Sequence, residues 1–207
     1  MQTFIVDYSL EENAKALDNK RLFKQLLEGY QILNSIVGDG TGWQNHPARL
    51  MWANNPISLF RYIKSIWVEC QSRGIAKDSL LFQKSQDLIS DYQIHHEGKI
   101  EVFPNWWGKL NIINSHKSRL ICKGLIDAYC AAIKKHLKIK SMDKWLKERY
   151  GKTKNQLKFN DTFVLSDFII ENEIDNVPVN YYRQFNWEEN NVDVHPKNDY
   201  VWPVSKE

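Results

Sequence analysis

The sequence lacks the glycine-rich loops that hold nucleotide phosphates. Neither Gly-x-x-x-x-Gly-Lys-Ser/Thr nor Gly-x-Gly-x-x-Gly occurs in its 207 residues, and Gly-x-Ser-x-Gly is absent as well. Phosphate-loop ATP hydrolysis, dinucleotide-dependent hydride transfer and α/β-hydrolase chemistry are therefore not expected. Cysteine is scarce: Cys70, Cys122 and Cys130 make an odd set without Cys-x-x-Cys spacing, which argues against a disulfide framework and a zinc ribbon. A reduced, cytoplasmic protein is the expectation. No His-x-x-x-His or His-Glu-x-x-His occurs, and the adjacent His95 and His96 are a weak ligand pair, so neither a metal nor a cofactor is expected. No uninterrupted apolar run reaches the roughly 18 residues of a membrane span, and no basic segment leads into an apolar one at the N-terminus. Alternating strand and helix patterns, internal repeats and low-complexity tracts are also missing.

Aromatic side chains are plentiful, with 8 Trp, 9 Tyr and 9 Phe, enough for a packed core and for base-stacking platforms. The net charge of +3 conceals an asymmetry. Residues 1–108 carry 11 basic and 12 acidic side chains, residues 109–158 carry 14 and 3, and residues 159–207 carry 3 and 10. The middle segment suits a polyanion such as nucleic acid, or a basic face docked on the acidic tail; charge counting leaves both open.

The patterning predicts a mainly α, single-domain fold organised around a long N-terminal helix, with an irregular aromatic tail. Thr3–Val6 reads as a brief strand or extended arm. Ser9 and Glu12 form a capping box that opens a helix expected to run to Val37, where Gly38-Asp-Gly-Thr-Gly42 ends it. Pro47 suits the first turn of a short helix capped by Asn45 or His46, and Asn54-Asn-Pro56 opens another with Ile57, Phe60, Ile63, Trp67 and Cys70 as its apolar set. Further helices are expected from Ser79 to Ile94, from a cap at Ser115 to His136, from Ser141 to Tyr150, and over 166–172.

Within the first helix, Asp18, Arg21, Gln25 and Glu28 follow one another at spacings of three, four and three, which places them in one sector of a helix together with Leu10, Ala14, Ile32 and Ile36. Charges set in an apolar strip are either a structural ion-pair ladder or the floor of a cleft. In the second case a carboxylate moves protons or stabilises a cation and the guanidinium holds an anion. His46 reads as a helix cap or a functional imidazole. His116, expected at a helix start beside Lys117 and Arg119, reads as a phosphate site or as a solvated first turn.

Several stretches form an ordered series: Met1-Gln-Thr-Phe-Ile-Val6, Leu17-Asp-Asn-Lys-Arg-Leu22 with Lys24-Gln25 and Glu28, Gln31-Ile-Leu33, Trp43-x-Asn-His-Pro-Ala48 with Met51-Trp52, Ser115-His-Lys-Ser118, and Tyr200-Val-Trp-Pro203. The series resembles the bacterial and phage family of pyrimidine dimer DNA glycosylases, also described as endonuclease V of the pyrimidine-dimer type. The likeness covers about residues 1–70, 104–123 and 181–203. It implies a compact helical domain that binds duplex DNA and cleaves the glycosidic bond of a damaged or modified pyrimidine without a cofactor. In the best-known members the N-terminal α-amine attacks the sugar C1′, forms an imine and lets the strand break by elimination, while a first-helix carboxylate stabilises charge.

Carried onto this chain, the resemblance implies Glu28, Arg21, His46, Met1 and Asp18 as catalytic residues. It also implies nucleic-acid contacts from Lys20, Lys24, Gln25, Trp43, Asn45, Arg49, His116, Lys117, Arg119 and Lys123. Three features depart from the family pattern. Gln2 disfavours removal of Met1, Ile113 stands where a further histidine is common, and residues 124–180 form a basic helical insertion. Two other readings suit the same motifs: an enzyme of this fold acting on a modified base, nucleotide or nucleotide-derived metabolite, and a non-catalytic nucleic-acid-binding accessory protein.

Overall fold

A computed structural model of the protein describes residues 2–75, 80–98, 102–185 and 192–203. Met1 and Ser79, which the sequence reading uses, lie outside them. The fold is mainly α: the described residues form eight α-helices and two short 3-10 turns, Lys154–Gln156 and Tyr181–Phe185, and no strand. No helix among them is long and apolar enough to cross a membrane. The chain divides into two compact units, Met1–Ile113 with Val201–Glu207, and Asn114–Tyr200. The 124–180 segment falls inside the second.

In the first unit, the predicted single helix from Ser9 to Val37 is two helices, α1 (Leu10–Lys15) and α2 (Asn19–Val37). Ser9 caps α1 as expected, its side chain accepting from the Glu12 amide. Asp18 does not sit inside a helix. Its backbone is extended and its carboxylate accepts from the Arg21 amide at 3.0 Å, so it caps α2. The break buries Leu17 completely. It also leaves carbonyls at the end of α1 without helical donors, and Arg73 supplies them: its guanidinium donates to the Leu17 carbonyl at 2.6 Å and the Lys15 carbonyl at 2.8 Å while Glu69 holds it at 2.6 Å.

Helix α3 (Pro47–Leu50) follows, then α4 (Pro56–Ser72) and α5 (Leu80–His95). Helix α2 packs against α3, α4 and α5, and α4 packs against α1 and α5. The buried stripe of α4 is Leu59, Tyr62, Ile63, Ile66 and Cys70, rotated from the predicted one. Ile57, Phe60 and Trp67 are only half-buried, and the last two stack on Phe82 of α5 at 5.8 and 4.2 Å between ring centroids. Gly29 is what lets α2 and α4 approach: a Cβ there would lie 2.7 Å from Ile63 Cγ1.

The second unit has its own core. Helix α6 (Leu110–His136) enters it at Asn114, and α7 (Met142–Tyr150) and α8 (Phe159–Glu171) complete it. Ile126, Cys130, Ile133, Leu146, Leu165 and Phe168 are among the side chains that meet there. All three cysteines are free and buried, and burial pushes the thiols of Cys70 and Cys130 up to about 11. Helix α6 begins five residues ahead of the predicted cap at Ser115, and α8 begins at Phe159 rather than near Ser166. Ser118 shows why the serines mislead: its hydroxyl donates to the Asn114 carbonyl four residues back, at 2.8 Å, and so is satisfied inside the helix.

The predicted strand-like arm, residues 2–6, is extended and buried but pairs with no other strand. In extended backbone the N–H and C=O of every second residue point to the same edge. Residues 2, 4 and 6 do so here, and side chains serve as the missing neighbour. Asn13 accepts from the Val6 amide at 2.5 Å and donates to the Phe4 carbonyl at 3.0 Å. Gln25 accepts from the Phe4 amide at 2.9 Å and donates to the Gln2 carbonyl at 2.8 Å. Thr3, on the alternate side, accepts from Trp52 Nε1 at 3.1 Å. An Asn13→Ala variant leaves the buried Val6 amide unmet and removes one of the bonds to the Phe4 carbonyl. At roughly 1–3 kcal/mol per unmet buried group, it should lower unfolding stability in urea by about 2–3 kcal/mol. A loss under about 0.5 kcal/mol would show that the arm is not held this way.

Candidate active site

Two of the four residues in the polar row of α2 are buried together. Gln25 is 1% and Glu28 8% exposed. The Gln25 amide fills all four of its hydrogen-bonding positions: Oε1 accepts from the Phe4 amide and from the Tyr62 hydroxyl at 2.7 Å, and Nε2 donates to the Gln2 carbonyl and to Glu28 Oε2 at 3.1 Å. Glu28 Oε2 also accepts from the Gln2 amide at 3.3 Å. The carboxylate is thus oriented by two neutral donors, one of them the backbone nitrogen next to the chain start. Tyr62 remains a donor, because burial first, and the Glu28 charge among lesser causes, push its pKa far up.

The other two members of the row form a separate group. Arg21 Nη1 is 2.6 Å from Asp18 Oδ2, both side chains being more than four-fifths buried. Their pair lies at the start of α2, seven residues before Glu28 and so about 10 Å away along the axis. Lys24 is exposed and its ammonium reaches Glu28 Oε1 at 3.7 Å; Lys20 is exposed in the first turn.

His46 caps α3, its Nδ1 accepting from the Ala48 amide at 3.0 Å, which leaves the ring proton on Nε2. Trp43 and Trp202 meet the imidazole edge-on at 5.3 and 5.8 Å between centroids. Trp43 adopts a left-handed backbone, φ 65°, and stays 60% exposed. A large side chain held there on a costly backbone offers its face to solvent. Asn45 is exposed beside it, while Arg49 is half-buried and donates from Nε to the Ser35 carbonyl at 3.3 Å.

His116, Lys117, Arg119 and Lys123 all lie in the second unit, inside α6. Because α6 starts at Leu110, His116 is not at a helix N-terminus, and the free backbone amides expected for a phosphate site are absent there. Its ring is fully buried and stacks on Tyr200 at 4.0 Å with an 8° interplanar angle. Lys117 lies over the Phe185 ring at 5.5 Å, Arg119 donates to Cys122 Sγ at 3.8 Å, and Lys123 is half-buried. Gly124 lets the tail lie on this helix, since a Cβ there would fall on Asn180 Oδ1 at 1.8 Å.

Sequence reasoning missed four contributors. Tyr62 and Asn13 belong to none of the motifs, because nothing local marks a residue that bonds backbone elsewhere in the chain. Gln2 entered only as a processing signal. Trp202 was quoted as a terminal motif without a partner, which is His46.

Burial first, and the positive charge of the N-terminal amine second, hold the His46 pKa below its ordinary 6.5. The unfolded chain therefore binds this proton more readily, and the stability that neutral His46 contributes is present above about pH 6.5 and lost as pH falls below it. His46→Asn keeps a capping acceptor without titrating. Its unfolding free energy should fall less than that of the parent chain between pH 7 and 5, and equal slopes would show that the imidazole cap is not the titrating element.

Comparisons with known proteins bear on the first unit. No curated protein and no solved structure matches the chain. The family described as pyrimidine dimer DNA glycosylase matches residues 1–83, the stretch that holds the arm, the α2 row, His46 and Tyr62. By that match, the part of the chain that builds the Gln2, Gln25 and Glu28 cluster is similar to the pyrimidine dimer DNA glycosylase family.

Proposed function

We propose that the protein is a DNA glycosylase with lyase activity, acting on damaged or modified pyrimidines in duplex DNA, with an α-amine at the chain start as nucleophile and Glu28 as its carboxylate. The observation that carries this reading is the 3.3 Å contact between the Gln2 nitrogen and Glu28 Oε2 within the family-matched segment. An α-amine has an ordinary pKa of about 7.7–8.0 and is partly neutral near pH 7, so it can attack without strong activation. Its nitrogen bonds to the sugar C1′ while the glycosidic bond breaks and the base leaves with a proton. Ring opening gives an imine, and loss of a C2′ proton expels the 3′ phosphate. Glu28 stabilises the positive charge that builds on the sugar and accepts a proton from the amine.

Which amine is involved depends on whether Met1 is retained. With Met1 retained, the nucleophile is one residue beyond the nitrogen that Glu28 holds; with Met1 removed, it is that nitrogen itself. Asp18 and Arg21 act together in this reading, Arg21 facing DNA phosphate while Asp18 fixes its orientation. Trp43, Asn45, Lys20 and Lys24 are exposed and would meet the duplex, with Trp43 as a stacking surface beside an extruded base.

Borohydride should trap a covalent adduct on ultraviolet-irradiated or abasic duplex, and peptide mass spectrometry should place it on the first residue of the mature chain, whether Met1 or Gln2. Glu28→Gln should lower the single-turnover cleavage rate by about 100-fold or more with duplex affinity changed less than about 3-fold. No adduct on either DNA, or an equal loss of affinity and rate, would overturn the reading.

A further inference from the structure

We propose that a surface of the second unit, running from the end of α6 into α7 and built from Lys134, Lys135, Lys138, Lys140, Lys144 and Lys147, binds the phosphate backbone of duplex DNA. All six side chains are exposed. Their outward placement is enforced from within. Leu137 and Ile139 pack against the core of the unit, so Lys138 and Lys140, alternating with them, point away from it. Lys138 stands in the left-handed conformation that ends α6, φ 52°, with the Ile139 amide returning to the Lys134 carbonyl at 3.3 Å. Glycine is the residue that fits that position without steric cost, yet the chain carries a cation there.

Two bland explanations account for part of the cluster only. Cations stabilise the C-terminal end of a helix, which covers Lys134 and Lys135 in the last turn of α6. Lys140 and Lys144 flank the Ser141 cap at the N-terminal end of α7, where the helix dipole opposes a positive charge. A basic face neutralised by the acidic tail is the second explanation. Among the described residues Lys134, Lys135, Lys138, Lys140 and Lys147 form no ion pair, and the tail carboxylate of Asp161 is taken by Lys152 at 2.5 Å. The nearby acids are committed too: Asp143 accepts from the Lys154 amide at 2.7 Å, and Glu148 lies 3.8 Å from Lys144.

Such uncompensated like charge fits a polyanion partner. The choice of duplex DNA rests on the function proposed above. Lysine is a point-charge phosphate ligand without the fork that reads guanine. The indole in the stretch, Trp145, is half-buried against Tyr150 and Phe168, so it is not presented as a stacking platform for single strands. The contact is therefore independent of sequence.

The test uses the full chain with Lys135, Lys138, Lys140 and Lys147 all changed to Gln, titrated on undamaged duplex between about 50 and 200 mM salt. Each lost phosphate contact removes about 0.9 from the slope of log Kobs against log salt, so the slope should flatten by about 2–4 and affinity at about 100 mM salt should fall about 10-fold or more. An unchanged melting temperature shows that the variant folds. A slope within about 0.5 of the parent overturns the proposal, as does a parent that binds anionic vesicles or RNA more tightly than duplex DNA. Borohydride trapping on abasic DNA, run with the same parent protein, reports the proposed reaction separately: a parent that traps nothing but shows the slope difference keeps this surface and loses the glycosylase reading.

Discussion

The side-chain amide of Gln25 is the interaction on which the first unit depends. Four bonds converge on it inside the core, from Phe4, Tyr62, Gln2 and Glu28. Its orientation is dictated by them: the oxygen must face the Phe4 amide and the nitrogen must face the Gln2 carbonyl and the carboxylate. A carboxylate at position 25 would meet the Gln2 carbonyl and Glu28 with acceptors only, and an apolar residue would take from the Phe4 amide and the Gln2 carbonyl the partner that Gln25 gives them. A single neutral amide thus anchors the arm to α2 and α4 and presents Glu28 to the chain start. Folding and the candidate site rest on one group.

That dependence explains why a segment with strand-like residues appears in a fold without a sheet. Buried extended backbone must be paired. Asn13 and Gln25 carry the same donor and acceptor chemistry as a peptide unit, and helices α1 and α2 hold them at the positions where residues 2, 4 and 6 expose their bonding edge. Asn and Gln are poor candidates for a helix face that enters a core unless they are bonded; Gln25 fills all four of its positions, and Asn13 bonds through both its oxygen and its nitrogen.

What was legible in the sequence follows from which signals are local. The caps at Ser9, His46 and Ser141, the Pro56 helix start and the Gly151 stop were readable because each acts within a few residues. The division of the first helix at Asp18 was not, since the apolar rhythm continues across it and Leu17 is as buried as any helical leucine. The carbonyls opened by the break are closed by Arg73, more than 50 residues away. Ser115 failed as a cap for the opposite reason: a good capping residue stands there, but Gly108 at φ 79° has already turned the chain into α6 upstream. The polar row was visible as an anomaly. Its split into a buried Gln25 and Glu28 and a capping Asp18 paired with Arg21 required the tertiary partners.

The split has a chemical consequence. A carboxylate locked to a guanidinium would have much of its charge neutralised before any substrate arrived. Here Asp18 takes Arg21 at 2.6 Å, and Glu28 is positioned by an amide side chain and a backbone amide, donors that orient it without cancelling its charge. Lys24 reaches it at 3.7 Å from an exposed position where water screens the pair. Glu28 is therefore buried enough to be fixed, and in the proposed reaction it faces the developing sugar cation. Water exclusion by bound DNA strengthens that interaction during the proposed reaction, because the same charge acts across a lower dielectric.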